Sequence, residues 1–149
     1  MNQVSPVLVQ LVESAIRESI DTFGARQDKS SLSDLFLYYN PETSDLLIYD
    51  DMEQLLSTLP LENMLEELNE NVERQIIVSI KSALYTLRNE GLFQKEFIVK
   101  PFSVNLVDDS FLVLEELFFL DDDTLKLDKD LMKNLDKELN EFLKNLLST

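Results

Sequence analysis

The chain has 149 residues, 13 Lys and Arg against 29 Asp and Glu, a formal charge of −16, and no His, Cys or Trp. That composition excludes His or Cys metal sites, Ser–His and Cys–His nucleophiles and disulfides, and two glycines are too few for a phosphate-cradling loop. A hydrophobic content of 44% separates it from acidic disordered chains, and the length suits one domain with a sizeable core, so residues 1–149 are read as a single acidic α+β domain.

In chain order, Ser5 and Pro6 open a helix as N-cap and first helical residue. Leu8, Leu11, Val12, Ala15, Ile16, Ile20 and Phe23 form its apolar stripe, and Gly24 stands where a glycine cap ends it. After a polar loop, residues 35–39 and 46–49 read as an aromatic-rich hairpin around a turn at 40–45. Asp51 begins a capping-box-like pattern that predicts a short helix to Leu59, and Pro60 restarts the chain. Residues 61–90 read as one long helix with Leu61, Met64, Leu65, Leu68, Val72, Ile76, Ile80, Ala83, Leu84 and Leu87 on one stripe, closed by Gly91.

A second strand region follows at 97–107, where Phe102, Val104 and Leu106 alternate with Ser103 and Asn105 and Pro101 implies an edge or a bulge. Asp108, Asp109 and Ser110 form a turn, residues 111–120 return as a bulky strand, and 124–127 read as a further short strand. A last helix carries Leu131, Leu135, Leu139, Phe142, Leu143 and Leu146 on one face. The expected fold is α+β: an antiparallel sheet of four to five strands in two hairpin regions, packed with three main helices, in the order α-ββ-α-ββ(β)-α. The two halves share a loose plan of hairpin, acidic turn and helix, with residues 46–51 aligned on 117–122.

Carboxylates are the main chemistry-bearing groups. The densest cluster contains Asp121, Asp122 and Asp123 with Asp128 and Asp130 following, and Asp121, Asp123 and Asp128 are weak metal candidates. An EF-hand loop starting at Asp121 fails, because its sixth and twelfth positions hold Lys126 and Met132 instead of Gly and Glu. No Lys is preceded two positions earlier by Asp or Glu, as metal-dependent nucleases commonly require, and no basic run marks a phosphate groove. Without His, proton transfer at neutral pH needs a strongly shifted carboxylate, Lys or Tyr. The chain is therefore read as non-enzymatic, with no cofactor and no metal.

Two surfaces remain. Phe36, Tyr38, Tyr39 and Tyr49 in the first hairpin and Phe118 and Phe119 in the second exceed what one sheet face needs, so they are interface candidates. Glu62, Glu66, Glu70 and Glu73 fall on one helical face about 6 Å apart along the axis, near the spacing of nucleic-acid phosphates. The leading expectation is an adaptor-like or chaperone-like domain that binds a protein partner or self-associates, as a homodimer for example, through hairpin edges. The alternative is an acidic nucleic-acid mimic that inhibits a DNA- or RNA-binding protein, and a carboxylate-only metal-dependent enzyme comes third. In size, acidity, lack of catalytic residue types and helix–sheet–helix–sheet–helix order the chain resembles the small acidic chaperones of bacterial type III secretion, a likeness of architecture.

The charge disfavours direct binding to nucleic acid or to anionic lipid. No apolar run approaches the roughly 20 residues that span a bilayer, and residues 1–15 lack the basic start of a signal peptide, so a cytoplasmic location is expected. By segment the charge is −1 over 1–27, −6 over 28–60 and −3 over each of 61–91, 92–120 and 121–149, so the acidity is spread along the chain instead of forming a tail.

Overall fold

The computed structural model describes residues 5–26, 30–64 and 72–121. Helix α1 spans Pro6–Gly24, and the Ser5 hydroxyl accepts the Leu8 N–H at 3.4 Å, as the sequence predicts for an N-cap. Leu8, Val12, Ala15, Ile16, Ile20 and Phe23 form its buried stripe. Gly24 is not the expected left-handed cap: it remains helical, and Ala25 ends the element in the right-handed region. The absent side chain serves a close approach instead, since a Cβ at Gly24 would lie 2.7 Å from the Phe97 ring. Gly91 does act as a helix stop, with φ of 83°.

Strands β1 (Leu32–Asn40), β2 (Asp45–Tyr49) and β3 (Leu55–Pro60) form an antiparallel meander. A 3₁₀ turn at Glu62–Met64 follows, then helix α2 (Val72–Asn89), a 3₁₀ turn at Leu92–Gln94, and strands β4 (Ile98–Val107) and β5 (Val113–Leu120). The five strands make one sheet in the order β3-β2-β1-β4-β5. The class is α+β as expected, but the sheet is mixed, because β4 lies parallel to β1. A parallel neighbour needs a crossover, and α2 supplies it.

Residues 51–59 do not form a helix, since the capping-box pattern at Asp51 belongs to the β2–β3 turn and Leu55 opens a strand. Leu61 and Glu62 are not part of the long helix, whose described portion begins at Val72. The strand at 124–127 and the last helix lie outside the described residues, so two of the three expected main helices are described. Pro101 sits in the irregularity of β4: Ile98 pairs with Leu32 and Ser103 with Asp34, so residues 99–102 face the single Ser33.

Both helices cover one face of the sheet, α1 packing on β3 and on α2, and α2 reaching β5. The core between them contains Ile16, Ile20, Leu35, Leu37, Leu46, Ile48, Ile80, Leu84, Phe93, Phe102 and Val104. Small residues let α1 approach β3. Ser19 donates to the Ala15 carbonyl at 2.9 Å and meets the Ser57 hydroxyl at 2.7 Å, so both buried hydroxyls are satisfied locally.

The β2–β3 and β4–β5 hairpins turn by the same device. In the first, Asp50 Oδ1 accepts the N–H groups of Met52 and Gln54, and Glu53 takes φ of 60°. In the second, Asp108 Oδ1 accepts those of Ser110 and Leu112, and Phe111 takes φ of 62°. Asp108 is therefore a structural counterpart of Asp50, while the turn after Asp121, which the sequence aligns with it, lies outside the described residues. A left-handed non-glycine residue costs about 1–2 kcal/mol. Glu53→Gly relieves that strain at an exposed position and adds some unfolded-chain entropy, so a net gain of about 0.5–1 kcal/mol is expected. Urea denaturation checks this; a lower midpoint for the variant contradicts it.

Candidate protein-interaction site

The sheet face opposite the helices carries the aromatic residues of the first hairpin. Along β1, Leu35 and Leu37 point into the core, so Phe36 and Tyr38 point away from it, and Tyr49 is the register partner of Phe36. Phe111 folds back over this face and meets Phe36 at 6.2 Å and Tyr49 at 4.9 Å, both edge to face. The left-handed turn at Phe111 makes that return possible. Beside the aromatics runs a polar row: Ser103 donates to Asp34, Asn105 donates to Ser103 at 3.0 Å, and the Ser33 hydroxyl lies 2.8 Å from Asp34 and 3.0 Å from Asp51.

The other interface candidates separate. Tyr39 packs partly against the core, and Phe119 is half-buried on the outer face as the partner of Ser103. Phe118 is buried in the core, its ring 5.3 Å from that of Phe93, so its bulk serves packing. Of the acidic row, Glu62 lies in the 3₁₀ turn and Glu73 in the first turn of α2, whereas Glu66 and Glu70 lie outside the described residues. Asp121 follows β5, and Asp123 and Asp128 lie outside the described residues. Among the described residues, no three carboxylates are grouped to hold a metal ion, and no helix is long and apolar enough to cross a membrane.

The structure also exposes a surface that the sequence did not single out. Leu112, Val113 and Leu114, at 65%, 50% and 60% exposure, are consecutive and lead into β5, an edge of the sheet. An edge strand with an exposed apolar run ordinarily invites pairing. Here β5 is irregular: its register slips between the Val104 and Asn105 pairs and again between the Leu106 and Val107 pairs, leaving Leu117 and Leu114 as extra residues. A bulge re-aims its side chain, and Leu114, though exposed, lines the edge of a cavity.

That cavity, about 270 Å³, lies between the end of β1, the β4–β5 hairpin and the first turns of α2. Tyr38, Tyr39, Ile76, Ile77, Leu106, Val107 and Leu114 give it an apolar lining. Glu73, Asp108 and Asp109 line it as well, and among the described residues no Lys or Arg does. The Tyr38 phenol is held above its ordinary pKa, first by partial desolvation and then by the negative charge of Asp109, Glu42 and Asp108. Pockets for whole small molecules and cofactors are usually about 300–1,000 Å³. This one lies at the lower end of that range.

The signal for this site was present in the sequence as two Asp-Asp turns, 50–54 and 108–112, each with a bulky residue in the left-handed position. What could not be seen was that the second turn lifts Leu112, Val113 and Leu114 clear of the core. Comparison of the chain with protein-family models, with curated proteins and with solved structures gives no match in any of the three.

Proposed function

We propose that this chain is a non-enzymatic protein-interaction domain that binds its partner through the β4–β5 hairpin. The observation that carries the reading is the run of exposed Leu112, Val113 and Leu114 beside the cavity that Leu114 lines. A contiguous apolar patch with an acidic rim is the usual form of an interaction surface, whereas single exposed leucines are ordinary. The core packs without this patch, since Leu112, Val113 and Leu114 are all outside it. The two bulges in β5 disfavour extension of the ladder by another strand, so the side chains, more than the backbone edge, make the contact.

The test is the double variant Leu112→Glu with Leu114→Glu, which changes exposed positions and should leave the fold intact. Wild-type protein is expected to retain a specific protein from extracts of its native host, or to associate with itself by light scattering, and the variant is expected to lose that association. Equal retention by both proteins, with circular dichroism unchanged, would remove the hairpin as the interface.

A further inference from the structure

We infer that the occupant of the β4–β5 surface is a basic segment of another protein that places a large apolar side chain in the cavity lined by Ile76, Ile77, Leu106 and Leu114 and sets an adjacent Lys or Arg against Asp109 and Glu73. This deepens the protein-interaction reading above and rests on it. The volume of about 270 Å³ has room for one large side chain, and the apolar lining matches a Leu, Met or Phe. The rim selects the neighbour. Among the described residues, Glu73, Asp108 and Asp109 are the charged ones that line the cavity; Glu115 and Glu116 follow Leu114 along β5, and Glu115 is paired with Lys81 at 3.0 Å.

Charge also decides between a second copy and a different chain. The chain carries −16, and in a symmetric pairing of two hairpins each acidic rim would meet its own kind. Like charges set face to face oppose association, whereas a cationic segment is steered in and held. Asp108 has one carboxylate oxygen committed to the N–H groups of Ser110 and Leu112, so it contributes fixed charge to the rim. Asp109, next in the turn and making none of those bonds, is the better placed of the two to move onto a partner cation.

Three short fluorescein-labelled peptides serve as probes: one alternates Lys with Leu, one Glu with Leu, and one Lys with Ser. Fluorescence anisotropy is expected to show binding of the Lys–Leu peptide alone, weakening as salt is raised. Asp109→Lys and Leu114→Arg should each weaken it by roughly three- to tenfold. Glu18→Lys, which makes the same charge change at an exposed position of α1, should alter it less than twofold by the same reasoning. Equal binding of the Lys–Leu and Lys–Ser peptides, binding of the Glu–Leu peptide, or equal effects of Asp109→Lys and Glu18→Lys overturns the inference. None of these outcomes removes the interaction reading, which fails only if the Leu112 and Leu114 variant keeps wild-type association. Self-association abolished by that variant, with no peptide bound, upholds the reading and overturns the basic partner.

Discussion

Replacing Asp50 by Ala is expected to cost about 2–4 kcal/mol of stability, whereas Asp108→Ala should cost only about 1 kcal/mol. The two aspartates make the same pair of turn hydrogen bonds, so the difference isolates what surrounds them. Asp50 is completely buried, and Arg26 Nη1 reaches its second oxygen at 2.5 Å from the end of α1. Arg26 also stacks over the Phe23 ring, 5.0 Å from its centroid, so the pair fastens the end of α1 to the β2–β3 turn. Removing the carboxylate leaves a guanidinium one-quarter exposed, which water partly solvates, and the cost therefore stays below that of orphaning a fully buried charge.

Asp108 lies in a half-exposed turn whose N–H groups water can reach, so its loss costs one or two ordinary hydrogen bonds. Paired urea denaturation curves for the two alanine variants measure both values. Equal losses would mean that the Arg26 pair contributes nothing net. Arg26→Ala complements the test: it leaves the buried carboxylate without its cation and should be destabilising by more than the roughly 0–1 kcal/mol of a surface ion pair.

Truncating Phe93 to Ala is expected to destabilise the protein by about 3–5 kcal/mol, a large share of the roughly 5–15 kcal/mol that holds a domain of this kind folded. Phe93 is 1% exposed and lies in the 3₁₀ turn between α2 and β4, a position that carries no periodic signal in the sequence. Its ring stands 5.2 Å from Phe102 and 5.3 Å from Phe118, joining both strands of the β4–β5 hairpin to the helical layer. The variant loses the transfer energy of the ring, leaves a cavity and breaks two aromatic pairs, each worth about 0.5–1.5 kcal/mol. Phe119→Ala supplies the contrast. That ring is half-buried on the outer face, and its loss should cost about 1–2 kcal/mol. A Phe93→Ala variant no less stable than Phe119→Ala would show that the turn has collapsed around the missing ring.

Local chemistry was legible where the physical cause is local. The Ser5 cap, the buried stripe of α1, the stop at Gly91 and the strands β1, β2, β4 and β5 follow from spacing and turn residues near each other in sequence. Strand β3 was not legible, because Asp51-x-x-Gln54 has the spacing of a helix-start capping box, and only the structure shows the neighbouring Asp50 accepting from Met52 and Gln54 in a hairpin turn. The candidate site was legible only in its residue types. Of the six aromatic residues marked for an interface, Phe118 went to the core, while the consecutive Leu112, Val113 and Leu114 looked like ordinary strand residues.

The same division holds for the acidity of the chain. Composition alone determined that this protein works without His, Cys or Trp and meets its surroundings as a strong anion. Residue order over short spans also set the amphipathic helices and the turns, because capping, periodicity and backbone strain act over a few residues. Only the tertiary structure decided that β4 runs parallel to β1, that Gly24 exists to admit Phe97, and that Glu73, Asp108 and Asp109 come together around an apolar cavity. Those outcomes depend on contacts between residues far apart in sequence, where the choice is made by how α2 crosses the sheet and by which side chains the bulges of β5 turn outward.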